Sequence, residues 1–122
     1  MINRKKLPAT RNSITHKVEI STESGVKDFY IIVGLYANGK PGELFAKEGQ
    51  SDAPMLDQWC RAVSIMLQDG HDTEDLVKKF GYAKYEPSGL TDCKLVRTAF
   101  SITDYIVRWL HCYFGEKEGC AK

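Results

Sequence analysis

The sequence lacks the features that would commit it to a membrane, a DNA duplex or a standard catalytic machine. Its 122 residues hold no run near the roughly 20 apolar residues of a membrane span. Seventeen Lys and Arg stand against sixteen Asp and Glu, for a formal net charge of +1. A duplex-DNA binder needs a strong basic excess to neutralise phosphates, so this balance argues against that class. The first ten residues are basic, but no apolar stretch follows them, so no secretory signal is visible and a reducing, cytoplasmic setting is expected. The four cysteines, Cys60, Cys93, Cys112 and Cys120, match no CxxC zinc pattern and read as free thiols. Cys112 and Cys120 beside His111 are a weak metal set, and no metal is expected. Cys60, next to Trp59, reads as a small core hydrophobe. Also missing are a nucleophile elbow, a P-loop, a dinucleotide fingerprint and an HExxH pair. The spaced glycines Gly34 and Gly39 are not followed by a helix, so they form no phosphate loop. His16, His71 and His111 are scattered along the chain, and no pair of carboxylates stands out. The expectation is a protein that is not an enzyme and carries no cofactor.

What is present describes one small α+β domain spanning 1–122. Residues 1–13 form a basic, extended arm, with Pro8 excluding a helix interior. The arm is either a solvated terminus or a flap that folds over an anionic ligand, with Arg11, Asn12, Thr15 and His16 as donors. Residues 14–47 read as strands. Ile14, His16, Val18 and Ile20 alternate on one side, residues 28–36 are β-branched and aromatic, and Asn38-Gly39 marks a hairpin before 42–47. The period then changes, and 55–114 reads as helices. Gly70 stops the first helix, acids after His71 start a second that ends at Gly81, and the last carries Ile102, Tyr105, Ile106, Trp109 and Tyr113. Residues 115–122 are a tail. The architecture expected is a small N-terminal antiparallel sheet of three or four strands, followed by about three helices packed on one face. Such a sheet leaves edges open, so a homo-oligomer, a dimer or larger, is expected.

The residues that could carry recognition lie mostly between Phe80 and Arg108. Phe80, Tyr82 and Tyr85 offer faces on which a base stacks. Arg97 and Arg108 offer forks for phosphate, while Asp92 and Asp104 offer acceptors for ribose hydroxyls. The plainer reading makes Phe80 core and Asp104–Arg108 an i,i+4 ion pair. Arg108 lies within a largely apolar helix, so it needs an acceptor, either Asp104 or a ligand anion. Arg61, beside Trp59-Cys60, is a further candidate for ligand or partner contact.

Several blocks resemble a known family. They are Lys6-Leu7-Pro8, Ser13-Ile14-Thr15-His16-Lys17, Val33-Gly34-Leu35-Tyr36, Gly39-Lys40-Pro41-Gly42-Glu43-Leu44-Phe45, Leu67-Gln68-Asp69-Gly70, Glu86-Pro87-Ser88-Gly89 and residues 101–110. In this order they resemble the C-terminal TSCPD-type accessory domain of adenosylcobalamin-dependent (class II) ribonucleotide reductases. That resemblance implies a domain binding a nucleotide effector or the reductase chain. The reductase's catalytic barrel, radical-forming cysteines and cobalamin site have no counterpart in these residues. More loosely, the size, layout and aromatic–arginine set resemble phage Thoeris anti-defence proteins of the first type. That likeness implies an oligomeric sponge in a phage-infected bacterial cell, sequestering a cyclic ADP-ribose isomer, or a cyclic nucleotide, without cleaving it. Stacking would fall to Phe80 or Tyr82, and phosphate or ribose contacts to Arg108, Asp104, Asp92 and Arg61. Sequestration is the main reading of the sequence and the reductase accessory domain its alternative.

Overall fold

The structure is a computed structural model and describes residues 5–49, 51 and 53–115. Arg4 of the basic arm, loop residues Gln50 and Asp52, and the 116–122 tail with Cys120 lie outside the described residues. The elements in order are β1 (Ser13–Thr22), β2 (Gly25–Leu35), β3 (Pro41–Glu48), α1 (Pro54–Gln68), α2 (Thr73–Phe80), β4 (Gly89–Thr91), β5 (Thr98–Ala99) and α3 (Ile102–Phe114). The strands form one five-stranded sheet in the order β3-β2-β1-β4-β5.

The fold is α+β, as the patterning implies, but the sheet has two more strands than the three read from the N-terminal half. β4 and β5 fall inside the 55–114 stretch that the sequence assigns to helices. They are only three and two residues long, too short to show an alternating pattern, and β4 forms by pairing with distant β1, Ile20 opposite Thr91. Gly89 allows this pairing. Its φ is +154°, and a Cβ there would sit 1.8 Å from the carbonyl oxygen of Ser21.

The chain divides into two compact units. The first comprises residues up to 17 and 30–72. Its buried apolar residues are Ile31, Val33, Leu44 and Ala46 of the strands and Leu56, Cys60, Val63 and Leu67 of α1, which packs on β3. Pro54 opens α1 at the position where its missing N–H costs nothing. The helix closes in a Schellman arrangement: His71 N–H donates to Met66 O, Gly70 N–H donates to Leu67 O, and Gly70 takes φ +103°. The sheet edge at β3 is covered from α1. Leu44 N–H donates to Ser64 Oγ at 2.8 Å, and Gln68 Nε2 donates to Gly42 O at 3.0 Å. The described part of the basic arm is bound to this unit. Lys5 N–H donates to Gln68 O, and Tyr36 Oη donates to Lys5 O.

The second unit comprises 18–29 and 73 onward. Val18, Ile20 and Phe29 bury with Leu76, Val96, Ala99 and the apolar side of α3, which holds Tyr105, Ile106, Trp109 and Leu110. α2 carries Glu74 and Asp75 in its first turn and Lys78 and Lys79 in its last, matching the helix dipole. Thr73 Oγ1 lies 3.0 Å from His111 Nδ1, joining the start of α2 to the end of α3. Ser101 caps α3, its hydroxyl accepting from Asp104 N–H and donating to Ala83 O.

Candidate functional site

The candidate residues separate into two clusters, one in each unit. In the second unit the organiser is Asp104, which lies in the first turn of α3 and is fully buried. Its Oδ1 accepts from Tyr82 N–H and, at 2.8 Å, from Arg108 Nε. Its Oδ2 accepts from Phe100 N–H at 2.9 Å and Arg108 Nη2 at 2.6 Å. One carboxylate therefore ties the segment after α2 and the segment after β5 to α3. A buried carboxylate is tolerated only when its oxygens are satisfied in this way.

Arg108 completes the cluster. Its Nη2 also donates to the Thr98 carbonyl of β5. The guanidinium lies over both rings, 4.7 Å from the Tyr82 centroid and 5.4 Å from that of Phe100. Burial alone would lower its pKa, but the hydrogen bond and attraction from Asp104 outweigh it, and the net shift is upward. Of the two acceptors open to Arg108 from the sequence, the structure supplies Asp104. Tyr82 adopts φ +66°, a left-handed conformation that costs a non-glycine residue roughly 1–2 kcal/mol. The Asp104 hydrogen bond and the ring–guanidinium contact hold it there. Tyr82 is 61% exposed, and its ring is tilted 5.7 Å from that of Phe100. Tyr85 is exposed as well, with Oη 2.7 Å from Thr103 Oγ1 and its N–H donated to Phe100 O.

The other residues singled out in this half lie around that cluster or apart from it. Phe80 is half-buried at the end of α2. Arg97 is exposed, its carbonyl accepting from Thr91 N–H. Asp92 extends the β1–β4 pairing: its Oδ1 accepts from Glu19 N–H at 3.0 Å, and its own N–H donates to Glu19 O. Phe100, Thr98 and Ser101 belong to the cluster and were not singled out from sequence. The Ser101-x-x-Asp104 spacing is a helix-start signature and was the one available signal.

The first unit holds the remaining candidates. Arg11 grips Glu43 with two nitrogens, Nε at 2.6 Å and Nη2 at 2.9 Å, and donates through Nη1 to Pro8 O. Its pKa is raised chiefly by that hydrogen bond. The Glu43 side chain lies against Gly34, where a Cβ would meet Oε2 at 2.2 Å. Gly42 is pressed in the same way by the Tyr36 ring and Leu7. Asn12 contributes its carbonyl to Leu35 N–H. Arg61 is exposed on α1 and pairs with Asp57 at 3.3 Å.

The blocks on which the resemblance rests therefore do a common job. Leu7, Gly34, Tyr36, Gly42, Glu43 and Gln68 meet in the first cluster, and Asp104 and Arg108 form the second. Cys60, Cys93 and Cys112 are not joined in disulfides, and burial, reinforced by the charge of Asp57, pushes Cys60 up to about 12. Among the described residues, no group of three or more His, Cys, Asp or Glu side chains is placed to hold a metal. No helix among them is long and apolar enough to cross a membrane.

A small α+β unit whose family-like residues brace its own backbone has the character of an accessory domain, and comparison with known proteins identifies which. The TSCPD domain model matches residues 4–114, and the chain belongs to that family. A vitamin B12-dependent ribonucleotide reductase of Rhodopirellula baltica is 42% identical over 129 aligned residues, covering 98% of this chain and 12% of the reductase. The reductases of that name from Streptantibioticus cattleyicolor and Agrobacterium fabrum are 40% and 33% identical, each over 88% of this chain and over 18% and 8% of their own lengths. The chain thus spans less than a fifth of each of these relatives. No solved structure matches.

Proposed function

We propose that the chain is a non-catalytic accessory domain that serves a vitamin B12-dependent ribonucleotide reductase by docking on the reductase chain. The observation that carries this reading is the alignment of 98% of the chain with a segment making up 12% of the Rhodopirellula relative. A domain in that position works beside a much larger catalytic polypeptide. The internal chemistry supports the same reading. The guanidinium best suited to grip a phosphate, Arg108, already binds Asp104 and the Thr98 carbonyl, and Arg11 already binds Glu43. Sequestration of a cyclic ADP-ribose isomer would need those forks for the ligand, and the three relatives compared above are all reductases.

The test is a titration of the fluorescently labelled chain with a B12-dependent reductase from which the matching segment has been removed. Saturable binding is expected. A parallel melting assay with cyclic ADP-ribose isomers, cyclic dinucleotides and deoxynucleoside triphosphates separates the alternatives. A true ligand at 100 times its dissociation constant adds about 2.7 kcal/mol of stability. Absence of reductase binding together with such a gain from a cyclic nucleotide would replace the accessory reading by sequestration.

A further inference from the structure

Arg108 has a nitrogen to spare. Its Nε donates to Asp104 Oδ1 and its Nη2 to Asp104 Oδ2 and the Thr98 carbonyl, while Nη1 makes no hydrogen bond within the fold. Among the described residues no buried side-chain nitrogen or oxygen lacks a partner, so Nη1 reaches solvent. It belongs to a guanidinium that lies over the rings of Phe100 and the exposed Tyr82. Tyr82 is the strained member of this group. It holds φ +66°, a conformation that glycine takes freely and a large side chain does not. The fold uses its backbone N–H, which donates to Asp104 and which a glycine would supply equally. The strained position is thus filled by an aromatic ring turned largely to solvent. Tyr85, on the same segment, is exposed too, its N–H donated to Phe100 O and its hydroxyl held against Thr103.

We propose, on the accessory-domain reading above, that Tyr82, Tyr85 and the unpaired Nη1 of Arg108 form the surface that grips the reductase chain. They would take an extended stretch of that polypeptide, the rings packing on its main chain and Nη1 donating to one of its carbonyl oxygens. Charge selects this occupant. Asp104 neutralises Arg108, so the cluster offers N–H donors without a net charge. A phosphate brought to Nη1 would also approach the Asp104 carboxylate, whereas a neutral peptide carbonyl meets no such repulsion. Tyrosine and arginine are the side chains that carry most energy at protein–protein contacts, and here both are already fixed by bonds inside the fold. In the Rhodopirellula relative the matching segment makes up 12% of the chain, which leaves the rest of that polypeptide as a partner for this surface.

The test repeats the titration of the labelled chain against the truncated reductase with Tyr82→Gly. This variant keeps the N–H for Asp104 and relieves the backbone, so its urea midpoint should stay near that of the wild type. Its dissociation constant for the reductase should nevertheless rise at least about tenfold. Tyr82→Phe, which keeps the ring, should bind as the wild type does, and Tyr85→Ala should weaken binding. Wild-type affinity in Tyr82→Gly, with the reductase still bound, would overturn the proposal and leave the accessory reading standing. No binding by the wild type would remove both. A melting gain from a deoxynucleoside triphosphate or a cyclic nucleotide that Tyr82→Gly abolishes would assign the rings to a nucleotide and overturn the proposal equally.

Discussion

Removing the Asp104 carboxylate should unlock the second unit. Asp104→Ala deprives the N–H groups of Tyr82 and Phe100 of their acceptor and leaves the Arg108 guanidinium, 17% exposed, without its counter-ion. Breaking one side of a buried ion pair costs about 3–5 kcal/mol. For a domain of this size, that corresponds to a fall in Tm on the order of 10–20 °C. Arg108→Met keeps an apolar stem beside the Tyr82 and Phe100 rings but removes the donors to Asp104 and Thr98. The loss of charge-assisted hydrogen bonds sets its cost at about 2–3 kcal/mol. Because both changes act on one interaction, the double variant should lose less than the sum of the two, with a coupling energy of roughly 2 kcal/mol. Urea denaturation of the four proteins in the cycle measures this directly. Costs below about 1 kcal/mol for each single change, the value of an exposed pair, would refute the structural role assigned to Arg108 and return it to the list of ligand-binding arms.

Gly89→Ala should destabilise by about 3 kcal/mol or prevent folding, since its Cβ would collide with the Ser21 carbonyl at 1.8 Å in a left-handed backbone conformation; chemical denaturation checks it. Ser64→Ala should cost about 1 kcal/mol and speed hydrogen exchange at the Leu44 amide, because the edge of β3 loses the hydroxyl that accepts from it; amide exchange followed by NMR reads the effect at that residue. Cys60, held near 12, should resist alkylation at pH 8, where roughly one thiol in ten thousand is ionised. Its thiolate fraction falls because the folded pKa is raised, so labelling should appear only on unfolding or at strongly alkaline pH, as mass spectrometry would show.

Much of the fold was legible because it rests on local chemistry. The Asn38-Gly39 hairpin, the alternation that buries Val18 and Ile20 and the left-handed Gly70 after α1 each follow from a few neighbouring residues. β4 and β5 were not legible. Their five residues carry no period, and they exist because Ile20 and Ser21 pair with Thr91 and Leu90 some seventy positions away. The clusters were half legible. The i,i+4 spacing of Asp104 and Arg108 allowed an ion pair, but only burial distinguishes a structural pair from a surface one. Phe100 and the Thr98 carbonyl enter through tertiary packing that no spacing announces. Arg11 meets Glu43 across 32 positions, so a residue that suits an anionic ligand on composition alone proves to have a partner inside the fold.

The most direct measurement is ribonucleotide reduction by a B12-dependent reductase whose TSCPD segment has been deleted, assayed with increasing amounts of this chain. The chain alone is expected to turn over nothing, and the truncated reductase is expected to respond saturably to it. A rate that stays flat at every concentration, with no complex detected, would show that the chain does not dock on the reductase.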